Sequence, residues 1–127
     1  MIILLDNIRG LGMVSKERAL KRMVPNLSLD ILLFQKTMCY ATTIISILKK
    51  TLPDWTFIAS DSSGSSTGLA SSWYTSYSLS YSTCYHSYIM SSIFITHLLI
   101  SIDLLNIYSP SIDCSLLWED LSSSPLL

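Results

Sequence analysis

Two short apolar runs in the first third of the chain each end on a polar side chain. Residues 2–5 lead into Asn7 and a loop that contains Gly10, and residues 31–34 lead into Gln35. A continuous apolar run of this length favours a strand buried on both faces. α/β enzymes deliver functional side chains at the tips of such strands. The sequence therefore predicts two buried strands. The first carries Asn7 at its end, and the second carries Gln35 at the corresponding position.

Helical patterns follow both runs. The first helix is predicted to begin with Ser15 as its N-cap, with a basic outer face, and to end or kink at Pro25. The second is predicted to be capped by a threonine at position 42 or 43 and to stop before Pro53. Residues 55–59 then form a strand, so the first sixty residues read β-α-β-α-β, the signature of a layered α/β fold.

The character of the chain changes in residues 60–92, which are rich in serine and tyrosine. Residues 62–68 are predicted to be a loop or a hairpin tip. From Tyr77 to His86 apolar and polar residues alternate, which predicts a half-buried strand, although the tyrosine spacing also fits a helical stripe. Such a tyrosine row can stack nucleic-acid bases or form the packed face of a sheet. A further strand is predicted over 100–107, followed by a short helix capped by Asp113.

Composition limits the class of protein. The 127 residues suffice for one modest domain, and half of them are apolar while 13% are charged, which excludes disorder. All eight lysines and arginines lie in residues 1–50 with three acids, whereas residues 51–127 hold six acids and no lysine or arginine. The basic residues of the amino-terminal half can contact phosphates, or they can form the solvent-exposed face of a helix.

Cysteine usage and hydropathy indicate an intracellular chain without a membrane span. The three cysteines lie far apart with no CxxC pair, which fits a reducing compartment, and His86 near Cys84 has no second ligand pair for zinc. The four-residue apolar start is too short for a signal peptide. Residues 89–108 are the only candidate membrane helix, and His97 and Asp103 interrupt them.

Four short motifs follow one another along the chain: residues 6–12 (Asp-Asn-Ile-Arg-Gly-Leu-Gly), 35–37 (Gln-Lys-Thr), 67–70 (Thr-Gly-Leu-Ala) and 106–110 (Asn-Ile-Tyr-Ser-Pro). Each motif alone is weak. In this order and spacing they resemble the endonuclease/exonuclease/phosphatase superfamily, which has the DNase I-like fold. The resemblance is closest to the endonuclease domain of plant LINE-type (non-LTR) retrotransposon polyproteins, and it is poorest in residues 74–100.

This resemblance implies a layered α/β sandwich with flanking helices and a Mg²⁺-dependent hydrolysis of phosphodiester bonds, with nucleic acid as the partner. By resemblance, Asn7 would lie at the metal and phosphate end of the first strand, and Tyr108 would contact the scissile phosphate. Position 36 would hold the metal-binding glutamate. Apart from the resemblance, the positive charges of Arg9 and Lys36 make these two residues candidate phosphate ligands.

The chain departs from the family pattern where the chemistry is concentrated. Position 36 is Lys36, which offers only hydrogen-bond donors where Mg²⁺ needs carboxylate oxygen. The family's Gly-Asp-Phe-Asn and Ser-Asp-His motifs are absent, and a whole domain of this kind needs roughly 200–250 residues. The resemblance therefore implies that residues 1–127 are one incomplete domain, an amino-terminal half only, without bound Mg²⁺.

Three hypotheses about function remain open at this point. The first is a truncated phosphodiesterase-like domain that is inactive alone. The second is a retroelement remnant without selected activity, in which Asn7 is only a turn residue and Tyr108 only covers the end of a sheet. The third is a weak phosphate or nucleic-acid binder whose basic residues are Arg9, Lys16, Lys21, Arg22 and Lys36. Nothing in the sequence indicates an obligate protein partner.

Overall fold

The computed structural model describes residues 1–12, 14–61, 68–74, 76–84 and 88–107. Two helices and seven strands lie in this part of the chain. In order they are β1 (Ile3–Asn7), α1 (Val14–Leu27), β2 (Ile31–Gln35), α2 (Ala41–Thr51), β3 (Trp55–Ser60), β4 (Leu69–Tyr74), β5 (Ser78–Cys84), β6 (Tyr88–Ile95) and β7 (Ile100–Ile107). The β-α-β-α-β order predicted for the first sixty residues is confirmed.

The strands form two sheets. The first has the order β1-β2-β4-β3, in which β1 and β2 are parallel and β4 runs antiparallel between β2 and β3. The second is an antiparallel sheet with the order β5-β6-β7. Helix α1 makes the crossover that a parallel pair of neighbouring strands requires. The mixed α/β fold with two layered sheets matches the fold class that the sequence predicts.

Strand β2 separates two apolar cores because its successive side chains point to opposite faces of the sheet. Leu32 and Phe34 pack against the helices, in a cluster with Leu20, Ile44 and Leu48. Ile31 and Leu33 pack on the other face against the second sheet, in a cluster with Trp73, Ile93 and Ile95. Burial on both faces explains the unbroken apolar run, and the prediction of a buried strand is confirmed here.

Strand β1 lies at the edge of the four-stranded sheet, and the prediction that residues 2–5 are fully buried is wrong. Ile3 and Leu5 pair in register with Ile31 and Leu33, yet their side chains are 43% and 56% exposed. Leu4 points to the other face and packs against the helix-side core. An apolar run alone does not distinguish an edge strand from a central one, because that depends on which strands lie beside it and across from it.

Strand β4 is central in its sheet, although no apolar pattern predicts it. Ser71 and Ser72 occupy its middle and are fully buried, and the Ser72 hydroxyl donates a hydrogen bond of 3.0 Å to the Leu32 carbonyl. Since the hydroxyl is satisfied by the neighbouring strand, its burial costs little. Trp73, next along the strand, is almost completely buried in the core between the sheets.

The predicted helices form, but their amino-terminal caps differ from the predictions. Helix α1 begins at Val14, one residue before Ser15, and includes Pro25 in its last turn before it ends at Leu27. Helix α2 begins at Ala41, whose N–H donates to a carboxylate oxygen of Asp61 at 2.6 Å. The first N–H of α2 is therefore satisfied by a carboxylate twenty residues later in the chain, and neither Thr42 nor Thr43 is the cap.

The carboxyl-terminal half of the described chain is formed of strands. Residues 78–84 form β5 within the stretch 77–86 that is predicted as a strand, and Leu79, on the face expected to be half-buried, is exposed. Residues 89–107 lie in β6, β7 and the turn between them, where His97 is exposed, so the membrane-helix alternative is wrong. Neither described helix is long and apolar enough to cross a membrane. Residues 62–67 of the loop predicted over 62–68, and the helix predicted after Asp113, lie outside the described residues.

Asn106, near the end of β7, links the two sheets through side-chain hydrogen bonds. It is 1% exposed, and its Nδ2 atom donates to the carbonyl oxygens of Phe34 at 3.2 Å and Ala70 at 3.0 Å and to the Ser71 hydroxyl at 3.4 Å. One amide group therefore joins β7 to both β2 and β4. Its Oδ1 atom is buried without a partner in the described part of the chain.

We expect Asn106→Ala to lower the free energy of unfolding by about 2–4 kcal/mol, because it removes a donor shared by two buried carbonyls and leaves a cavity. Asn106→Asp should be worse, since an acceptor-only carboxylate would face those carbonyl oxygens. Urea denaturation followed by tryptophan fluorescence measures both. Asn26→Ala, at an exposed position of α1, is the control; equal stabilities of the Asn26 and Asn106 variants would contradict the bridging role.

Asp30, just before β2, is the centre of a second link between the sheets. Its carboxylate accepts hydrogen bonds from the Ile2 N–H at 2.8 Å and the Tyr77 hydroxyl at 2.7 Å. Burial tends to raise the pKa of Asp30, but these two hydrogen bonds and nearby positive charge, including that of His97, outweigh it, and the pKa is lowered. Burial and the bond to Asp30 raise the pKa of Tyr77 to about 12.

These pKa shifts predict a loss of stability at both pH extremes. The lowered pKa of Asp30 means that its contribution is present above the ordinary carboxyl pKa near ~3.9 and is lost as the pH falls through the folded-state value. The raised pKa of Tyr77 means that its contribution is complete below about 10 and is lost as the pH rises through about 12. In Tyr77→Phe the midpoint of urea denaturation should depend less on pH at both extremes, whereas Tyr74→Phe should show the pH dependence of the wild type. Identical profiles for Tyr77→Phe and the wild type would refute the link.

Candidate functional site

The candidate site lies where β1 and β2 end. Because the two strands are parallel and in register, Asn7 lies opposite Gln35 at the same edge of the sheet. Asn7 is exposed, and Lys36 follows Gln35 directly and is half-buried. The structure thus brings the first two sequence motifs together at the carboxyl ends of adjacent parallel strands, where α/β proteins place their ligands.

The third motif joins this edge through β4. The Thr37 N–H donates to the Gly68 carbonyl at 3.0 Å, and Leu69 pairs with Gln35. Gly68 has a φ of +113°, a conformation that side chains with a Cβ rarely adopt. Gly68 therefore permits the backbone to enter β4 beside Thr37.

The fourth motif reaches the same place from the second sheet. The side-chain amide of Gln35 donates to the carbonyl oxygen of Ile107, the last residue of β7. Asn106 binds the Phe34 carbonyl one residue before Gln35. Tyr108, the predicted phosphate contact, is the next residue of the chain but lies outside the described residues. The predicted site residues Asn7 and Lys36 are thus assembled with the end of the strand that precedes Tyr108.

The glycine-containing loop after β1 pairs along the segment after β2. Hydrogen bonds run from the Ile8 N–H to the Gln35 carbonyl, from Gly10 to Lys36 and from Leu11 to Thr37, at 3.0, 2.8 and 3.0 Å. Both segments contain residues with positive φ, namely Arg9 (48°), Gly10 (96°), Lys36 (54°) and Met38 (58°). Left-handed backbone at residues other than glycine costs of the order of 1–3 kcal/mol each and tends to persist where surrounding contacts impose it, often at functional sites.

Lys16, in the first turn of α1, stabilises this loop. Its ammonium group donates to the carbonyl oxygens of Ile8 and Arg9, the latter at 2.7 Å. The sequence reading treats Lys16 as part of a solvated basic face or as a phosphate ligand and misses this contact. The sequence motifs that contain Gln35 and Asn106 likewise do not indicate the hydrogen bonds that these two side chains make. Only a three-dimensional arrangement identifies such partners, since each bond joins a side chain to a backbone carbonyl elsewhere.

The chemistry available at this edge is that of amides and cations. Asn7 and Gln35 contribute amide groups, and Lys36 and the exposed Arg9 contribute positive charge. Asp6 precedes Asn7 in β1, so it projects to the opposite face of the sheet from Asn7. No group of three or more His, Cys, Asp or Glu side chains that could hold a metal ion occurs within the described ranges.

The histidine that the structure describes, His97, lies away from this edge. His97 lies in the turn between β6 and β7, with its ring centroid 6.4 Å from that of Tyr77. Tyr77 in turn binds Asp30 at the start of β2, whereas the candidate site lies at the end of that strand. His86 lies outside the described residues.

Comparison with known proteins gives a likeness of structure and none of sequence. No protein-family model matches the chain, and no curated protein matches it significantly. The crystal structure of the AP endonuclease LMAP from Leishmania major superposes on it with a TM-score of 0.67 and 11% sequence identity. The alignment covers 98% of this chain and 44% of the AP endonuclease chain, so this chain spans less than half the length of that protein.

At so low an identity, the similarity shows the fold alone. Two layered sheets, flanking helices, and a candidate edge at the ends of β1 and β2 agree with the fold that the four motifs implied. The chain has part of the DNase I-like fold, which it shares with an AP endonuclease.

Proposed function

We propose that this chain is a degenerate half of a nuclease domain, descended from the endonuclease of a LINE-type retrotransposon, that binds nucleic-acid phosphates but does not hydrolyse them. Residues 1–127 form a single incomplete domain in this proposal. The ordered motifs support the descent, and the superposition on less than half of an AP endonuclease supports the incompleteness. The single observation that carries the loss of activity is Lys36 at the end of β2, beside Asn7.

The residues of this edge do not suit Mg²⁺. The resemblance requires a carboxylate at position 36, because Mg²⁺ prefers oxygen ligands and carboxylates in particular. Lys36 provides a cation instead. At an effective dielectric constant near ~20, a unit charge and a dication about 4 Å apart repel each other by roughly 8 kcal/mol before rearrangement or screening. Without the metal, the charge that develops on a phosphoryl group during hydrolysis is not stabilised in the family's way.

Binding of phosphate requires only positive charge and hydrogen-bond donors, and both are present. Arg9 and Lys36 lie on segments joined by the hydrogen bond between Gly10 and the Lys36 carbonyl. The exposed side chains of Lys21 and Arg22 add positive charge on α1. Contacts of this kind bind the nucleic-acid backbone without regard to sequence. Arg9, Lys36 and Asn7 are the proposed phosphate ligands, with Tyr108 joining them by resemblance.

A second candidate function, a remnant without selected activity, is favoured by the surface of β1. Ile3 and Leu5 are exposed apolar residues on an edge strand, and Ile2 before them is also exposed. Exposed apolar edges promote association between chains and are usually protected in proteins under selection. The two candidates differ in whether phosphate binding is present at physiological salt.

Activity is the first test. We expect the purified chain to leave supercoiled plasmid intact in the presence of Mg²⁺, measured by agarose gel electrophoresis. Lys36→Glu should raise the affinity for Mg²⁺ at least about tenfold, because it removes a cation and adds a carboxylate ligand. Isothermal titration calorimetry measures this gain whether or not hydrolysis returns.

Lys49→Glu is the matched control, since it changes the charge equally at an exposed position in the last turn of α2. Equal Mg²⁺ affinities of the two variants would disprove the assignment of position 36. Nicking by the wild type that EDTA abolishes would disprove the loss of activity.

Phosphate binding is the second test. Affinity for labelled DNA, measured by fluorescence anisotropy, should fall steeply as salt is raised, because each neutralised phosphate releases condensed counterions. Arg9→Gln should weaken binding several-fold on all sequences and should reduce the salt slope by about one. Lys50→Gln, exposed at the end of α2, should leave both unchanged. A salt-independent affinity would favour the remnant without activity.

A further inference from the structure

In residues 36–40, between β2 and α2, buried and exposed side chains alternate, and neither the fold nor phosphate binding explains why. Thr37 is fully buried, whereas Met38 and Tyr40 on either side of half-buried Cys39 are 49% and 68% exposed. Met38 adopts a φ of +58°, which is unfavourable for a residue with a Cβ. The segment therefore exposes two large side chains to solvent, and the backbone conformation of Met38 is energetically unfavourable.

The segment is anchored at both ends. The Thr37 N–H donates to Gly68, and its carbonyl accepts from Leu11, both at 3.0 Å. Beyond Tyr40, the Ala41 N–H donates to Asp61 at 2.6 Å, and the Tyr40 carbonyl accepts the Ile44 N–H at 3.0 Å. The backbone that carries exposed Tyr40 is therefore already ordered, which reduces the cost of ordering this segment when a ligand binds.

Tyr40 differs from Tyr74, the other exposed tyrosine whose side chain the structure describes. Tyr40 and Tyr74 are the exposed aromatics whose side chains the structure describes. The Tyr74 ring lies edge-on to the Trp55 ring, with centroids 6.2 Å apart. The Tyr40 side chain has neither a ring contact nor a hydrogen bond within the described ranges. Its ring face is therefore available.

Tyr40 also lies on the same segment as Lys36, four residues later in the chain. The loop after β1 runs along the segment after β2, with Gly10 bonded to Lys36 and a Cβ on Gly12 placed 3.9 Å from the Cys39 sulfur. Arg9 therefore lies on one of two paired segments, and Lys36 and Tyr40 lie on the other; together these two segments are called the rim. A positively charged track next to an exposed aromatic ring is the combination with which proteins bind single-stranded nucleic acids.

We propose that Tyr40, supported by Met38, is a stacking platform for an unpaired base of a single-stranded nucleic acid whose backbone lies on Arg9 and Lys36. This inference rests on the proposed function and narrows its ligand to strands with accessible bases. The ring face of Tyr40 supplies the stacking surface, and the flexible thioether of Met38 adapts to bases of different size. Because any base has a π-face, sequence preference is weak.

Two labelled probes separate stacking from phosphate binding: a short single-stranded oligodeoxythymidine and an abasic phosphate backbone of the same length. We expect the wild type to bind oligodeoxythymidine more tightly in fluorescence anisotropy. Tyr40→Ala should weaken that affinity about five- to a hundredfold, the range measured for the loss of one stacked base, and should leave affinity for the abasic backbone unchanged. Tyr40→Phe should retain wild-type affinity, since the ring is kept.

Tyr74→Ala is the control at an exposed tyrosine outside the rim, and thermal denaturation of each variant establishes that it is folded. Equal binding of both probes by the wild type, or an unchanged affinity of Tyr40→Ala for oligodeoxythymidine, would overturn the stacking platform and leave phosphate binding in place. Absence of wild-type binding to either probe would overturn both proposals. An equal loss on both probes in Tyr40→Ala would show that Tyr40 acts only on the shape of the loop.

Discussion

The parallel pairing of β1 with β2 is the constraint on which the rest of the structure depends. It requires the α1 crossover, and it places the ends of both strands at one edge, with Asn7 opposite Gln35. From that edge the two following segments continue to pair, with Gly10 bonded to Lys36 and Leu11 to Thr37. The candidate site therefore continues the backbone hydrogen bonding between β1 and β2. The register of these two strands determines which residues of the site lie side by side.

The second sheet is attached to that edge through side-chain amides. Gln35 donates to the carbonyl at the end of β7, and Asn106 donates to carbonyls of β2 and β4. At the opposite end of β2, Asp30 accepts the hydroxyl of Tyr77, which precedes β5. Polar bonds thus link the two layers near both ends of β2, around an apolar core that includes Trp73 and Ile93. Such bonds determine how the sheets are oriented, because apolar packing alone has little directional preference.

The proposed loss of activity and the proposed stacking platform concern the same short segment after β2. In the proposed function, Lys36 occupies the position where the resemblance implies a metal-binding carboxylate, whereas its positive charge and the exposed ring of Tyr40 suit a nucleic-acid strand. An ancestral catalytic edge can in this way keep part of its ligand recognition without its reaction. The fold places the groups, but it does not determine the activity, which depends on the identity of single side chains.

The sequence by itself determined the order and type of the local elements: the β-α-β-α-β start, the strands over 78–84 and 100–107, and the four motifs whose order indicated a DNase I-like fold. These features are local, since apolar periodicity and turn residues act over a few neighbours. Tertiary structure alone decided that β1 is an edge strand, that serine-rich β4 is central, and that α2 is capped by Asp61. It also decided that Lys16, Gln35 and Asn106 bind distant carbonyls. Burial and hydrogen-bond partners are set by contacts between residues far apart in the chain, and no local pattern carries that information.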